Sequence, residues 1–449
     1  MNSNLHPSDL TADTSSVRSR MITWPSDEDC LRSLLTIRYV TSRSAKAFVS
    51  KWAAGKAAND IVRQGVKTAG FLSGAFGIVK EQPLATLPAT AVKKTAVTWQ
   101  TDANGDHEPA DEITVDDLPS IMTRVDKDKA LQKARTKAKA EVFTPSWVCA
   151  KMNGEVDARI LLPDDDDAED PFGRIASESH EVTNPRSRKT KKVTTFWFEP
   201  SAAPIDCSAL DSKPGSGDGW VKYVTDRRLE ITCGEAPYLC SRYDATTGEP
   251  ILVLGEINGE TVYMRHGLLD RKLRVISEQT AGLKASESGD EYSSHWLSLA
   301  VMALRSCYGY EWQGDSLLLA RANMVTDVIE WWRAVCWDGD EERDLPIGVE
   351  RALWEVTSWN VWQADGLKCV LPMSCKGDCP ACAAGRRQYV GHDGRQCVIR
   401  MWTPTVPDPL SYETICPGPA DGEIILMQTA GGLGDKLVDW GNSKRRGRR

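Results

Sequence analysis

Five side chains able to bind a metal crowd together near the C-terminal end of the chain. Residues 369–398 read CVLPMSCKGDCPACAAGRRQYVGHDGRQCV, which spaces Cys375, Cys379, Cys382, His392 and Cys397 as C-x3-C-x2-C-x9-H-x4-C. A C-x-x-C pair presents two thiolates from one tight knuckle, and a second pair from a short hairpin completes a tetrahedron around Zn2+. Cys379, Cys382, His392 and Cys397 form the first-choice ligand set, with Cys375 as the alternate, and the ion would be structural. The competing interpretation is a glycine-rich loop holding unrelated thiols; the local density favours zinc. Arg386, Arg387 and Arg395 lie nearby in sequence and could contact phosphates.

A second set of residues suits a nucleotide-like ligand. In RRLEITCGEAPYLCSRYD (227–244), Leu229 to Thr232 fits a strand, Gly234 a turn, and the run through Leu239 a helix. A glycine lets a ligand approach the backbone, and a helix N-terminus offers free N–H donors. One such glycine also fits an ordinary strand-to-helix turn. In RSCYGYEWQGDSLLLARANM (305–324), Cys307 to Tyr310 fits the next strand, Glu311 ends it, and Ser316 to Met324 fits a helix. A carboxylate there can accept both hydroxyls of a ribose, although a surface Glu at a strand end is the simpler account. In SWNVWQADGL (358–367), Asp365 could end a third strand, or Asp-Gly could simply mark a turn. In EVFTP (141–145), Phe143 could pack on a ligand face and Thr144 bond its polar end.

These residues need elements to carry them. Between about 141 and 400, short apolar runs alternate with helical patterns, which predicts an α/β domain with a largely parallel sheet. Residues 1–26 are predicted to be disordered, 27–95 helical in character, and 96–125 an acidic, polar linker. The cofactor-binding domain is expected over 126–368, an inserted zinc knuckle over 369–400, and an extension with the basic tail KRRGRR over 401–449. DKDKALQKARTKAKA, at 126–140, is either a solvated helix or one that touches phosphates. Asp164 to Asp170 is expected to be a surface insertion.

Taken in order, EVFTP, LEITCGEAPYL, YGYEWQGDSLLLARANM and QADGL resemble the adenine-specific DNA methyltransferases of restriction–modification systems. The likeness is to members whose cofactor motifs precede the catalytic motif, often described as restriction endonuclease subunit M. It covers roughly residues 138–400. It implies a Rossmann-like domain that binds S-adenosyl-L-methionine. Carried over by position, Phe143, Thr144 and Pro145 would lie near the cofactor, as would Glu230, Cys233, Gly234 and Glu235. Glu311 would hold the ribose and Asp365 would lie near the adenine. Ala236 stands where the family has a second loop glycine, which narrows the space for the cofactor.

The family's catalytic motif, Asn or Asp followed by two prolines and an aromatic, should follow Asp365. No Pro-Pro pair occurs in the chain, Asn184-Pro185 is misplaced, and Asp408-Pro409 is followed by Leu410. The expectation is a cofactor-binding component that acts on DNA together with a second polypeptide carrying the catalytic motif. A truncated gene or a regulatory subunit are the other routes to such a sequence. A protein of a different class, a zinc-stabilised DNA-binding or scaffolding protein without enzymatic activity, also fits the metal motif. A net charge of −8 argues against a uniformly basic surface but not against local contacts to phosphates. With no apolar run of membrane-spanning length and a polar N-terminus, a cytoplasmic location is expected, where thirteen cysteines would stay reduced.

Overall fold

The computed structural model describes residues 22–37, 39–40, 97–101, 107–127, 129–130, 132–133, 136, 144–183, 188–340, 343–365, 370–372, 375, 377, 379–383, 396–402 and 423–426. In strands 39–40, 97–101, 107–112 and 423–426, and in most of 396–401, only the backbone is described.

The first helix, α1 (Glu28–Leu35), starts where Asp27 accepts the N–H groups of Asp29 and Cys30. Strand β1 (Tyr39–Val40) follows, and β2 (Val97–Thr101) pairs with β3 (His107–Glu112). The next helix, α2 (Ser146–Leu161), leads into a long antiparallel hairpin of β4 (Gly173–Thr183) and β5 (Thr190–Pro200). A short helix α3 (Gly219–Thr225) feeds β6 (Arg228–Ile231), and β7 (Leu254–Ile257) pairs with β8 (Glu260–Tyr263). Two long helices come next, α4 (Leu268–Lys284) and α5 (Gly289–Arg305), the second closed by a capping box between Ser288 and Glu291. Strand β9 (Cys307–Glu311) is wholly buried. Helices α6 (Gly314–Cys336) and α7 (Ile347–Asn360) then deliver β10 (Val361–Gln363). A short turn of helix, α8 (Pro380–Ala383), precedes β11 (Gln396–Met401), which pairs with β1 and with β12 (Glu423–Leu426).

The central sheet runs in the order β10-β9-β6, with every pair parallel. Parallel neighbours need a crossover, and helix pairs supply it: α4 with α5 between β6 and β9, α6 with α7 between β9 and β10. The protein is therefore a mixed α/β fold. Its core is heavy in tryptophan, with Trp296, Trp331, Trp332, Trp354 and Trp362 almost fully enclosed. Among the described residues, no helix is long and apolar enough to cross a membrane.

Several expectations need revising. Residues 96–125 hold the β2–β3 hairpin, and Ile113 and Leu118 enter the core, so the acidic stretch is not a bare linker. Ile22 and Trp24 also pack on that core, while residues 1–21 and the basic tail lie outside the described residues. Helix α1 docks on α7, where Arg351 pairs with Asp27 and the Ser33 hydroxyl donates to Glu355, and on α6, where Arg321 donates to the carbonyls of Leu34 and Thr36. The helix expected straight after Gly234 starts only at Leu268, beyond the β7–β8 hairpin. Asp164 to Asp167 and Glu169 are exposed, as expected of a surface loop, whereas Asp170 is drawn inward by Arg271. Positions 129–130, 132–133 and 136 of the basic segment are helical.

Buried charge ties α6 to the segments before it. Glu330 accepts from Arg242 at 2.5 Å and from Arg265 at 2.5 Å. Burial by itself would raise the Glu330 pKa, but the two guanidinium groups outweigh it and hold it at about 2. The folded chain thus binds this proton more weakly than the unfolded chain. The resulting stability is complete above about pH 4.5 and fades as the pH falls through about 2. Glu330→Gln is expected to cost about 2–3 kcal/mol at pH 7. Urea titrations should show the gap to wild type closing between pH 4.5 and 2; a gap that stays constant to pH 3 would refute this.

Candidate functional site

The carboxyl ends of the three parallel strands gather the acidic and glycine motifs. In an open parallel sheet this edge is where ligands bind. After β6 the chain turns through Thr232, Gly234 and Ala236, with φ of 62°, 58° and 68°. For Thr and Ala this left-handed backbone costs roughly 1–2 kcal/mol each, and such strain is concentrated at functional sites. The Cys233 N–H donates to Tyr310 O at 2.8 Å, fastening the loop to β9. The Gly234 N–H donates to Glu311 Oε2 at 2.8 Å, so the glycine turn and the strand-end acid share one edge. The Gln313 N–H donates to Glu311 Oε1 at 2.9 Å, which fixes the carboxylate from the other side.

Glu230 lies beside this pair. Its Oε2 is buried with no hydrogen-bond partner among the described residues. Burial, then the charge of Glu311, push the Glu230 pKa well above the usual carboxylate range. Burial also raises Glu311, although the Gln313 and Gly234 N–H groups pull the other way. Two carboxylates that resist ionisation together favour a cationic or hydrogen-bond-donating ligand.

Asp365 joins the same edge: β10 pairs with β9 so that Gln363 lies opposite Glu311, and the Ala364 N–H donates to Glu311 O at 2.9 Å. Asp365 itself is buried and bridges Val370. Thr144 and Pro145 open α2 against the loop. Burial raises the Tyr238 phenol, and a hydrogen bond with Thr144 lowers it. The Cys149 thiol, one turn into α2, is raised by burial and by Glu230. Phe143 lies outside the described residues.

Two of the loop residues face inward. Cys233 is buried against β9, where a Cβ on Gly309 would lie 2.9 Å from its Sγ. Only glycine at 309 leaves room for the loop to sit this close to the strand. Glu235 turns away from the edge; its carboxylate accepts from the Arg124 N–H at 2.7 Å and the Tyr243 hydroxyl at 2.8 Å. Ala236 is fully buried in the core cluster, so its methyl group does not narrow the edge as the sequence suggested.

Sequence reasoning missed the segment that backs this loop. Lys127, at the head of the basic stretch, makes a buried ion pair with Asp315 at 3.3 Å. Asn323 of α6 donates to Glu235 O at 2.9 Å and to the Tyr243 hydroxyl at 2.9 Å. No local pattern signals these contacts, because each joins residues scores of positions apart.

Away from the edge, Cys375, Cys379 and Cys382 converge, with all three sulfurs within 4.8 Å of one another. The Cys375 sulfur lies 3.7 Å from those of Cys379 and Cys382. Thiolates about 2.3 Å from a tetrahedral zinc ion lie about 3.8 Å apart, so the spacing suits that ion. The Cys382 N–H points to Cys379 Sγ at 3.4 Å, the local geometry of a knuckle. Cys375, the alternate in the sequence, thus stands with the C-x-x-C pair. His392 lies outside the described residues, and Cys397 is described only as a backbone position in β11 opposite Tyr39.

No family model matches this chain, and no curated protein or solved structure matches it.

Proposed function

We propose that the carboxyl edge of β6, β9 and β10 binds S-adenosylmethionine, and that the protein is the cofactor-binding component of an adenine-specific DNA methyltransferase in a restriction–modification system. The observation that carries this reading is the 2.8 Å contact between the Gly234 N–H and Glu311 Oε2 at neighbouring strand ends. The residues suit the cofactor. Glu230 offers a buried, unpartnered carboxylate oxygen to its cationic amino-acid end, and Glu311 retains acceptor sites for two ribose hydroxyls. Asp365 stands at the third strand end, where an adenine ring would lie, and Thr144 borders the loop.

When bound, S-adenosylmethionine supplies an activated methyl group to a nucleophilic amine. This chain's residues orient that donor and exclude water from it. The Asn/Asp-Pro-Pro-aromatic motif that would position the amine is missing here, so a second polypeptide is proposed to supply it and to complete the enzyme on DNA. Calorimetric titration of the full chain with S-adenosylmethionine tests the reading: saturable binding is expected, and no heat up to millimolar cofactor would sink it.

Cys375, Cys379 and Cys382 are proposed to hold a structural zinc ion, with His392 or Cys397 as the fourth ligand. Protein purified without chelator should carry about one zinc per chain by mass spectrometry. Cys379→Ser should weaken retention at least tenfold. Metal-free protein whose thiols react equally fast with and without added zinc would rule the site out. The same cluster favours a second reading, a zinc-stabilised DNA-binding or scaffolding protein, whose affinity for DNA would ignore the cofactor.

A further inference from the structure

We propose that the β4–β5 hairpin is an arm that enters the major groove of duplex DNA. The inference rests on the reading of DNA as the macromolecular partner, but not on cofactor binding. The two strands stay in unbroken register from Gly173↔Pro200 to Thr183↔Thr190. Only the base touches the body of the protein: Phe196 stacks on Trp147 with centroids 4.7 Å apart, and Phe198 lies 4.8 Å from the His266 ring. Beyond Phe196, residues 177–183 and 190–195 are exposed on both faces, apart from the half-buried Val193. Seven residues at about 3.3 Å each carry the ribbon roughly 20–25 Å into solvent.

A two-stranded ribbon without a packed face is marginal by itself. Apart from Val182 and Val193, the distal side chains are polar, so the ribbon presents no continuous apolar face that awaits a hydrophobic cover. Ser179 bonds Thr194 at 2.9 Å and Thr183 bonds Thr190 at 3.1 Å, a hydroxyl ladder across the strands. The returning strand is basic. Arg188, Lys189, Lys191 and Lys192 are all exposed, and no acidic residue occurs between Glu181 and Glu199. The outgoing strand carries the exposed acids Glu178 and Glu181, and Glu181 lies opposite Lys192 in the register, so the four basic residues of the returning segment outnumber the acids by two. A cluster of this sign on a chain of net charge −8 is a localised match for phosphate.

Shape selects the kind of nucleic acid. The major groove of B-form DNA, about 12 Å wide, admits a two-stranded ribbon, and hydroxyl side chains can bond base edges there. The major groove of A-form RNA is too deep and narrow for one. The base of the arm also fits the site: Trp147, on which Phe196 stacks, is the second residue of α2, two positions after Pro145. An arm rooted there would hold a duplex beside the carboxyl edge of the sheet.

The test compares the full-length protein with the triple variant Arg188→Ser, Lys191→Ser, Lys192→Ser, using anisotropy of a fluorescein-labelled 20-base-pair DNA duplex over a range of salt. The side chains are exposed, so melting temperatures should agree. Loss of up to three phosphate contacts should weaken duplex binding at least tenfold and reduce the salt slope by as much as about 2.7. Three outcomes each overturn the proposal: equal affinity and slope in the variant, no duplex binding by wild type, or tighter binding of a matched RNA duplex. Calorimetry with S-adenosylmethionine on the same two proteins separates the claims. A silent titration alongside a weakened duplex contact would refute the cofactor reading and leave the arm standing.

Discussion

Glu311→Gln should lower affinity for S-adenosylmethionine about 100-fold while leaving the chain folded. The carboxylate is buried, and each oxygen already accepts one backbone N–H, from Gln313 and Gly234. Those two bonds hold its plane and leave further lone pairs for ligand hydroxyls. Glutamine replaces one oxygen with an NH2 group, which sets donor against donor at Gly234 or Gln313 and removes the charge from any bond to ribose. Charged hydrogen bonds contribute about 1.5–3 kcal/mol each, so losing the equivalent of one or two accounts for a change of about two decades. The wild-type site also carries a pH signature. Burial raises both Glu230 and Glu311, whereas the bound cofactor favours their ionised forms, so binding should release protons and weaken as the pH falls. Calorimetry in buffers of different ionisation enthalpy reads that release, which should shrink in the variant. A dissociation constant within threefold of wild type, with unchanged proton release, would remove Glu311 from the site.

Arg271→Lys should destabilise the fold by about 3–5 kcal/mol. All five guanidinium N–H groups of Arg271 are used: Nε to His266 O at 3.0 Å, Nη1 to Asp157 at 3.0 Å and Asp170 at 2.7 Å, and Nη2 to Ala150 O at 3.2 Å and Asp170 at 2.7 Å. The group is completely enclosed, and it lies 4.6 Å over the Phe172 ring. Burial tends to lower its pKa, but Asp170 and Asp157 outweigh that and raise it, so it is charged at every practical pH. An ammonium has three donors and no fork. It leaves at least one carboxylate or carbonyl buried without a partner. Because Arg271 joins α4 to α2, the loss should also loosen the helix that follows Thr144 and Pro145. Urea denaturation with a shared m-value gives the free energy directly; a difference below about 0.5 kcal/mol would show that the cluster does not hold the two helices together.

Much of the site was legible because its signals are local. The run CYGYE reads as a buried strand ending in an acid, SLLLARANM reads as a helix, and both lie where expected in β9 and α6. The C-x-x-C knuckle was also plain, since two thiols three positions apart can share one ion in almost any turn. The acidic linker was misread because polarity alone does not exclude a hairpin, and Ile113 and Leu118 were too few to reveal a buried face. The start of α4 was misplaced because the β7–β8 hairpin interrupts the path from glycine loop to helix.

By itself the sequence determined the three short strands of the parallel sheet, the acid that ends one of them, and the two thiols of the C-x-x-C knuckle. Such features follow from side-chain period, capping and spacing over a few residues. Tertiary structure alone decided that Gly234 meets Glu311 across 77 positions, that Glu235 and Cys233 face inward, and that the basic β5 strand stands in solvent. Those outcomes depend on which strands become neighbours and which buried charges find partners. Both are fixed only when the whole chain has packed, because a contact between distant residues leaves no periodic trace along the chain.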